Sequence, residues 1–217
     1  MRPWTRRNLI AGGGAAVVAA VPLVSFAAAL APTPVQSEGP FYPDRFPADT
    51  DDDLVRVAGR VRDAGGEILL LDGQVLDTDG RPVANEVVEI WQVDANGRYL
   101  ATGDRSLSRP RDDDFQGYGA IRTDAEGRYR FRTIRPVSYP GRAPHIHVKA
   151  HHPAGHVLTT QMYIAGEPRN ESDILYRRLG AAERDRLTVP LIRSNGKVDA
   201  EWRAQFRIIL PWKMTAG

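Results

Sequence analysis

The stretch Val137-Ser138-Tyr139-Pro140-Gly141-Arg142-Ala143-Pro144-His145-Ile146-His147-Val148 holds the residue types best suited to chemistry. His145 and His147 stand two apart. On a strand both imidazoles would leave one face, and Ile146 would point into the opposite layer. Two adjacent imidazoles suit a metal better than a dry core, because every buried ring nitrogen needs a partner. Tyr139 and Arg142 arrive just upstream. Zinc sites favour His, Cys and carboxylate. A phenolate is a hard anionic oxygen donor and suits a hard, highly charged ion such as ferric iron. A lone His-x-His is also compatible with an ordinary strand pair, so the motif depends on its context.

The elements that must position these residues read as strands. Ile68 to Leu76 is one, interrupted at Asp72-Gly73. In Val83 to Val93 both faces carry apolar residues, which predicts a central strand. Tyr129, Phe131 and Thr133 alternate with Arg128, Arg130 and Arg132, the pattern of a half-buried strand. His145 to Ala150 and Val157 to Ile164 follow, and Phe206 to Leu210 closes the set. Three turns, Asp77 to Gly80, Asp94 to Gly97 and Asp124 to Gly127, start on Asp and end on Gly, as tight strand-to-strand turns do. Only Glu171 to Leu179 and Ala181 to Arg186 look helical. The pattern predicts an all-β sandwich of mostly antiparallel strands.

Three parts are expected: residues 1–31 as a leader, 32–53 as an extended arm, and 54–217 as the sandwich domain. The 217 residues suffice for one domain with a sizeable core. With no cysteine, disulfides, Cys-zinc sites and thiol nucleophiles are excluded. Leaving aside Arg2, Arg6 and Arg7, 26 basic residues face 27 acidic ones. Such a near-neutral domain does not point to nucleic acid. Arg6-Arg7-Asn8-Leu9-Ile10, a Gly-rich apolar run and Ala27-Ala28-Ala29 resemble a twin-arginine (Tat) export signal. Gly12 to Gly14 and Pro22 make a poor membrane span, so cleavage is expected rather than anchoring, with release to the periplasm or beyond. Thr33 to Pro43 cannot be a helix. Its adjacent Phe41 and Tyr42 predict an arm packed on the domain, whereas Asp49 to Asp53 reads as a solvated acidic turn.

Several stretches, in order, resemble the intradiol ring-cleaving dioxygenases, in particular the protocatechuate 3,4-dioxygenase branch. They are Thr33 to Pro43, Glu89-Ile90-Trp91-Gln92 with Gly97-Arg98-Tyr99, Phe115 to Gly119, Gly127 to Ile134, Tyr139 to His147, and Thr160-Gln161-Met162-Tyr163. The resemblance spans Thr33 to about Leu210. It implies one non-haem Fe(III) per site, held by Tyr99, Tyr139, His145 and His147. Tyr118 is a nearby rival for Tyr99, which is preferred because it follows the Trp91 strand and the Gly97 turn. Two phenolates and one hydroxide balance the ion's three charges, and a neutral site tolerates burial.

The implied substrates are O2 and an ortho-diphenol of catechol or protocatechuate type. The diphenol would bind as a dianion and displace Tyr139. Its ring would open between the oxygen-bearing carbons to a muconate-type dicarboxylate. Arg142 matches a family arginine that stabilises charge developing on the substrate. Gln161 matches a glutamine that hydrogen-bonds near Arg142, and Pro40, Phe41 and Tyr42 match a pocket wall. Gly141 stands where many members carry tryptophan, which implies an open site for substituted or bulky catechols. A homo-oligomer is compatible with the family, and stable membrane association after leader removal is not expected. The competing readings are an exported transthyretin-like binding module without iron, and a zinc hydrolase, which lacks a well-placed third ligand.

Overall fold

The computed structural model describes residues 29–104, 109–152, 155–196 and 199–212. Its strands are β1 (Ile68–Leu76), β2 (Val87–Trp91), β3 (Tyr118–Arg122), β4 (Arg128–Ile134), β5 (His145–His151), β6 (Val157–Ile164), β7 (Thr188–Val189), β8 (Ile192–Arg193) and β9 (Trp202–Ile209). Two short helices, α1 (Ile174–Arg177) and α2 (Ala181–Leu187), lie between β6 and β7. One sheet runs β4-β1-β9-β8 and the other β3-β2-β5-β6-β7. Pairing is antiparallel except at β1–β9 and β6–β7. The chain is thus a sandwich of two mixed, mostly antiparallel sheets.

Period-two alternation builds the core. Leu69, Leu71 and Val75 of β1, Phe131 of β4 and Phe206 and Ile208 of β9 face Val88 and Ile90 of β2, Ile146 and Val148 of β5, and Leu158 and Met162 of β6. Each is at most 1% exposed. At about 25 cal/mol per Å² of apolar area, this burial is the main stabilising term. The residues between them, Trp91, His145, His147 and Gln161, therefore leave the second sheet on the face turned away from this core. The register aligns Tyr118, Trp91, His147 and Gln161 in one row across β3, β2, β5 and β6.

The three Asp-to-Gly turns share one hydrogen-bond pattern. Asp77, Asp94 and Asp124 each accept through Oδ1 from the N–H groups two and four residues on. Gly80, Gly97 and Gly127 close the turns onto the Asp carbonyls at 2.9–3.0 Å.

Several elements differ from expectation. The single helix expected over Glu171 to Leu179 is divided: a 3-10 turn at Pro168–Ser172 ends where Asp173, in extended backbone, caps α1. Strand β9 starts at Trp202, and β3 forms at Tyr118–Arg122 beside the quoted Gly119 motif. Asp49 to Asp53 is docked along β4. Arg132 N–H donates to Asp52 O at 2.7 Å, and its guanidinium meets Asp53 at 3.0 Å. The arm packs on the domain: Thr33 exchanges bonds with Ile209, Gln36 N–H donates to Thr159 O, and Thr160 Oγ1 donates to Pro34 O. The Tat-type leader lies outside the described residues up to residue 28. Leu30, near its expected end, donates to Thr78 O at 2.8 Å. Among the described residues, no helix is long and apolar enough to cross a membrane.

Candidate metal centre

Tyr139-Pro140-Gly141-Arg142 is a tight turn. Proline occupies its second position and Gly141 its third, with φ of 81°, and Arg142 N–H returns to Tyr139 O at 3.0 Å. Those residue choices are the ones a type II turn requires. The turn sets Tyr139 and Arg142 on the same side just before β5. Tyr99 comes from the loop after β2. The Asp94 turn delivers it, and its N–H is held by Asp104 Oδ2 at 2.7 Å.

These elements bring four donor atoms together. Tyr99 Oη lies 3.0 Å from His147 Nε2 and 3.3 Å from His145 Nε2, and the two Nε2 atoms are 3.2 Å apart. Tyr139 Oη is 3.4 Å from Tyr99 Oη. Tyr99, His145 and His147 are buried, whereas Tyr139 is half-buried. Tyr118 is placed elsewhere, against Phe46 at 4.9 Å and Tyr42 at 6.3 Å between centroids.

The donor set fits ferric iron. His145 Nδ1 lies 2.6 Å from Ala143 O, so Nδ1 carries the proton and Nε2 offers a lone pair. Burial pushes the pKa of His145 down to about 3 and that of His147 well below its ordinary value, with Arg142 adding to both. Both rings are therefore neutral at pH 7 and ready to ligate. Burial, then the neighbouring Tyr139, pushes the Tyr99 phenol well above its usual range, so a strong cation is needed to ionise it. Two imidazole lone pairs and a phenol oxygen within 3.0–3.3 Å of one another have the separation of ligands about 2 Å from a shared ion. Among the described residues no group of three or more His, Cys, Asp or Glu could hold a metal.

The surroundings order these donors. Trp91 stacks on His147 at 4.6 Å and 11°. Phe41 stacks on Tyr99 at 4.9 Å and meets Tyr139 edge-on at 6.4 Å. Tyr42 instead meets Trp91 edge-on at 5.0 Å and donates to Glu89 at 2.8 Å. Pro40 is exposed next to Gly39, whose Cβ position would lie 3.9 Å from His147 Cε1. Of the expected wall, Phe41 thus contacts the tyrosine rings directly.

Arg142 donates to Gln161 Oε1 and, from Nη1, to Tyr139 Oη at 3.4 Å. Gln161 is fully buried and donates to Ser37 O at 2.9 Å. Three contributors were missed from the sequence: Trp91 as a stacking support, Tyr163, whose hydroxyl lies 3.0 Å from Gln36 Oε1 and 3.1 Å from Gln161 Oε1, and Asp173, which accepts from Arg142 Nε at 2.8 Å. Cross-strand register pairs Trp91 with His147, a signal that needs the β2–β5 pairing to be known.

A family model described as Dioxygenase matches residues 37–211. The protocatechuate 3,4-dioxygenase beta chain of Burkholderia cepacia is 42% identical over 145 residues, covering 63% of this chain and 61% of that protein. Catechol 1,2-dioxygenase 1 of Acinetobacter lwoffii is 31% identical over 185 residues, covering 76% of this chain and 55% of that protein. The chain therefore spans less than two thirds of the length of either relative. The solved dioxygenase domain of a dioxygenase carbohydrate-binding protein fusion from the cellulolytic bacterium Streptomyces sp. SirexAA-E superposes with a TM-score of 0.65 at 34% identity, over 83% of this chain and 99% of that one. With the match running from the arm to the last strand, the chain belongs to the intradiol ring-cleavage dioxygenase family.

Proposed function

We propose that the chain is a non-haem Fe(III) dioxygenase that cleaves an ortho-diphenol between its two oxygen-bearing carbons and delivers both atoms of O2 to a muconate-type dicarboxylate. The observation that carries this reading is the convergence of Tyr99 Oη with the two histidine Nε2 atoms, with Tyr139 and Arg142 at its edge. Ferric iron, when bound by Tyr99, Tyr139, His145 and His147, would supply Lewis-acid activation of the diphenol.

The chain's own residues divide the remaining work. His145 and His147 bind through lone pairs that burial keeps unprotonated. Tyr99 is enclosed under Phe41 and stays in place. Tyr139 is half-buried on its turn and, as the phenolate, would be the side chain able to move aside and take a substrate proton at Oη. Arg142 offers preorganised positive charge beside that oxygen, and Gln161 fixes its head group. Gly141 is exposed, and no atom lies within 4 Å of the position a Cβ would take. Its positive φ also disfavours a bulky side chain, which supports a site open to substituted catechols. The leader motif supports Tat export to the periplasm or beyond, with 32–53 as the arm and 54–217 as the catalytic domain. O2 and a small diphenol are the expected partners.

Oxygen consumption with catechol, protocatechuate and hydroxyquinol under ¹⁸O2 tests this reading. The expected result is a ring-opened dicarboxylate carrying two labelled oxygens with at least one of them. An iron-loaded protein that consumes no O2 with any ortho-diphenol would overturn it in favour of a binding module.

A further inference from the structure

Asp173 stands 31 residues from Arg142 in the chain, yet its carboxylate reaches the turn before β5. Its side chain is fully buried. Oδ2 accepts from Arg142 Nε at 2.8 Å and from Ala143 N–H at 2.9 Å. Oδ1 accepts from Leu175 N–H at 2.9 Å and Tyr176 N–H at 3.2 Å. All four acceptor positions of the carboxylate are used. Ala143, whose N–H it holds, presents the carbonyl that faces His145 Nδ1 at 2.6 Å. One buried anion therefore fixes both the Arg142 guanidinium and the backbone between Tyr139 and His145. With Nε bound by Asp173, only the Nη groups of Arg142 remain to face Tyr139, Gln161 and Tyr163. Without this anion the Arg142 guanidinium, on a side chain only 14% exposed, would carry a poorly compensated charge and could turn away.

We propose that Asp173 is a positioning residue for ring cleavage, acting through Arg142. It clamps the Nε edge so that the Nη edge stays aimed at Tyr139 Oη, where the substrate oxygens are expected. This rests on the functional reading above. The saturated, two-sided bonding of the carboxylate distinguishes it from a simple helix cap, which would use Oδ1 alone.

The tests are Asp173→Asn, Asp173→Ser, Arg142→Ala and the double variant Asp173→Ser with Arg142→Ala, each iron-loaded. Serine keeps a cap for α1 but cannot reach Arg142, so it separates anchoring from folding. The account predicts a fall in kcat/KM of about 10–100-fold for either Asp173 variant, with iron content and visible band retained. The double variant should be no slower than Arg142→Ala alone, because the two residues act as one unit. In the iron-free protein, the Arg142 Nε–H resonance should be protected from solvent exchange in the wild type and lose that protection in Asp173→Ser. Losses that multiply in the double variant, an unchanged kcat/KM in Asp173→Ser, or an Nε–H equally protected in that variant would each overturn the proposal. A wild type inert toward every ortho-diphenol would instead overturn the functional reading, and the role in the reaction with it.

Discussion

Tyr99 meets both histidines, whereas Tyr139 meets Tyr99 and the His145 ring, from different surroundings. Tyr99 is 3% exposed, covered by Phe41 and tied through its backbone to Asp104, whereas Tyr139 is half-buried beside Arg142. Exchanging each for phenylalanine should therefore have unequal effects. Tyr139→Phe should keep most of the iron but shift the visible band and lower kcat by about 100-fold, the low end of proton-transfer contributions. Tyr99→Phe should lose iron outright. Metal analysis and absorption spectra of the two variants decide this, and equal iron loss would contradict the division of roles. Glu86 offers a residue-scale test away from the site. It is fully buried, and neither carboxylate oxygen has a hydrogen-bond partner among the described residues. Burial raises its pKa to about 7 from 4.5. The fold thus favours the neutral acid: its contribution is full below about pH 4.5 and is lost as pH rises through 7. Glu86→Gln should raise Tm at pH 8 by about 2–4 °C, the shift of roughly 1 kcal/mol in a chain this size, and leave it unchanged at pH 4.

At the scale of elements, the strands do the positioning, and β1 shows how little slack they have. Gly73 sits mid-strand because the Tyr129 ring lies across it; a Cβ there would meet Tyr129 Cζ at 2.1 Å and Phe206 O at 2.3 Å. Tyr129 Oη donates to that same carbonyl at 2.7 Å. Gly73→Ala should cost about 3 kcal/mol or more, visible as an earlier denaturation midpoint; a neutral result would show that the ring can move. Asp72-Gly73 reads as an interruption in the sequence, whereas β1 runs unbroken through both residues, and the need for glycine was hidden because the ring arrives from β4. The same limit applies across the site. His145, Ile146 and His147 were legible because period two acts within one strand. The Tyr139 turn went unread, although Pro140-Gly141 is local turn chemistry. Asp173 was not legible, because its role depends on a contact 31 residues back in the chain, and the helical reading of Glu171 to Leu179 concealed the extended residue that caps α1. The parallel pairing of β1 with β9 was equally hidden, being a contact between strands far apart in the sequence.

At the scale of the whole molecule, the sandwich core and the site occupy opposite faces of one sheet, and the arm closes the second face. Glu38 pairs with Lys149, whose ammonium lies 3.6 Å from the Tyr42 ring centre, and Gln36 and Ser37 bond to Tyr163 and Gln161. The arm thereby gives the outer face its own small cluster around Trp91 and Tyr99. Phe41→Ala should lower stability by about 1–2 kcal/mol, as expected for a half-buried ring, in a denaturant melt. It should also weaken iron retention, because Tyr99 loses its cover; a variant that melts earlier but keeps iron as tightly would show that the arm only braces the sheet. On this reading two tyrosines and two histidines hold ferric iron on this face. The visible absorption spectrum of the purified protein, taken with its iron content, tests it most directly. The account predicts a red to burgundy protein with one iron per chain, and a band that shifts when catechol is added without oxygen. A protein that stays colourless and iron-free after ferric reconstitution would contradict it.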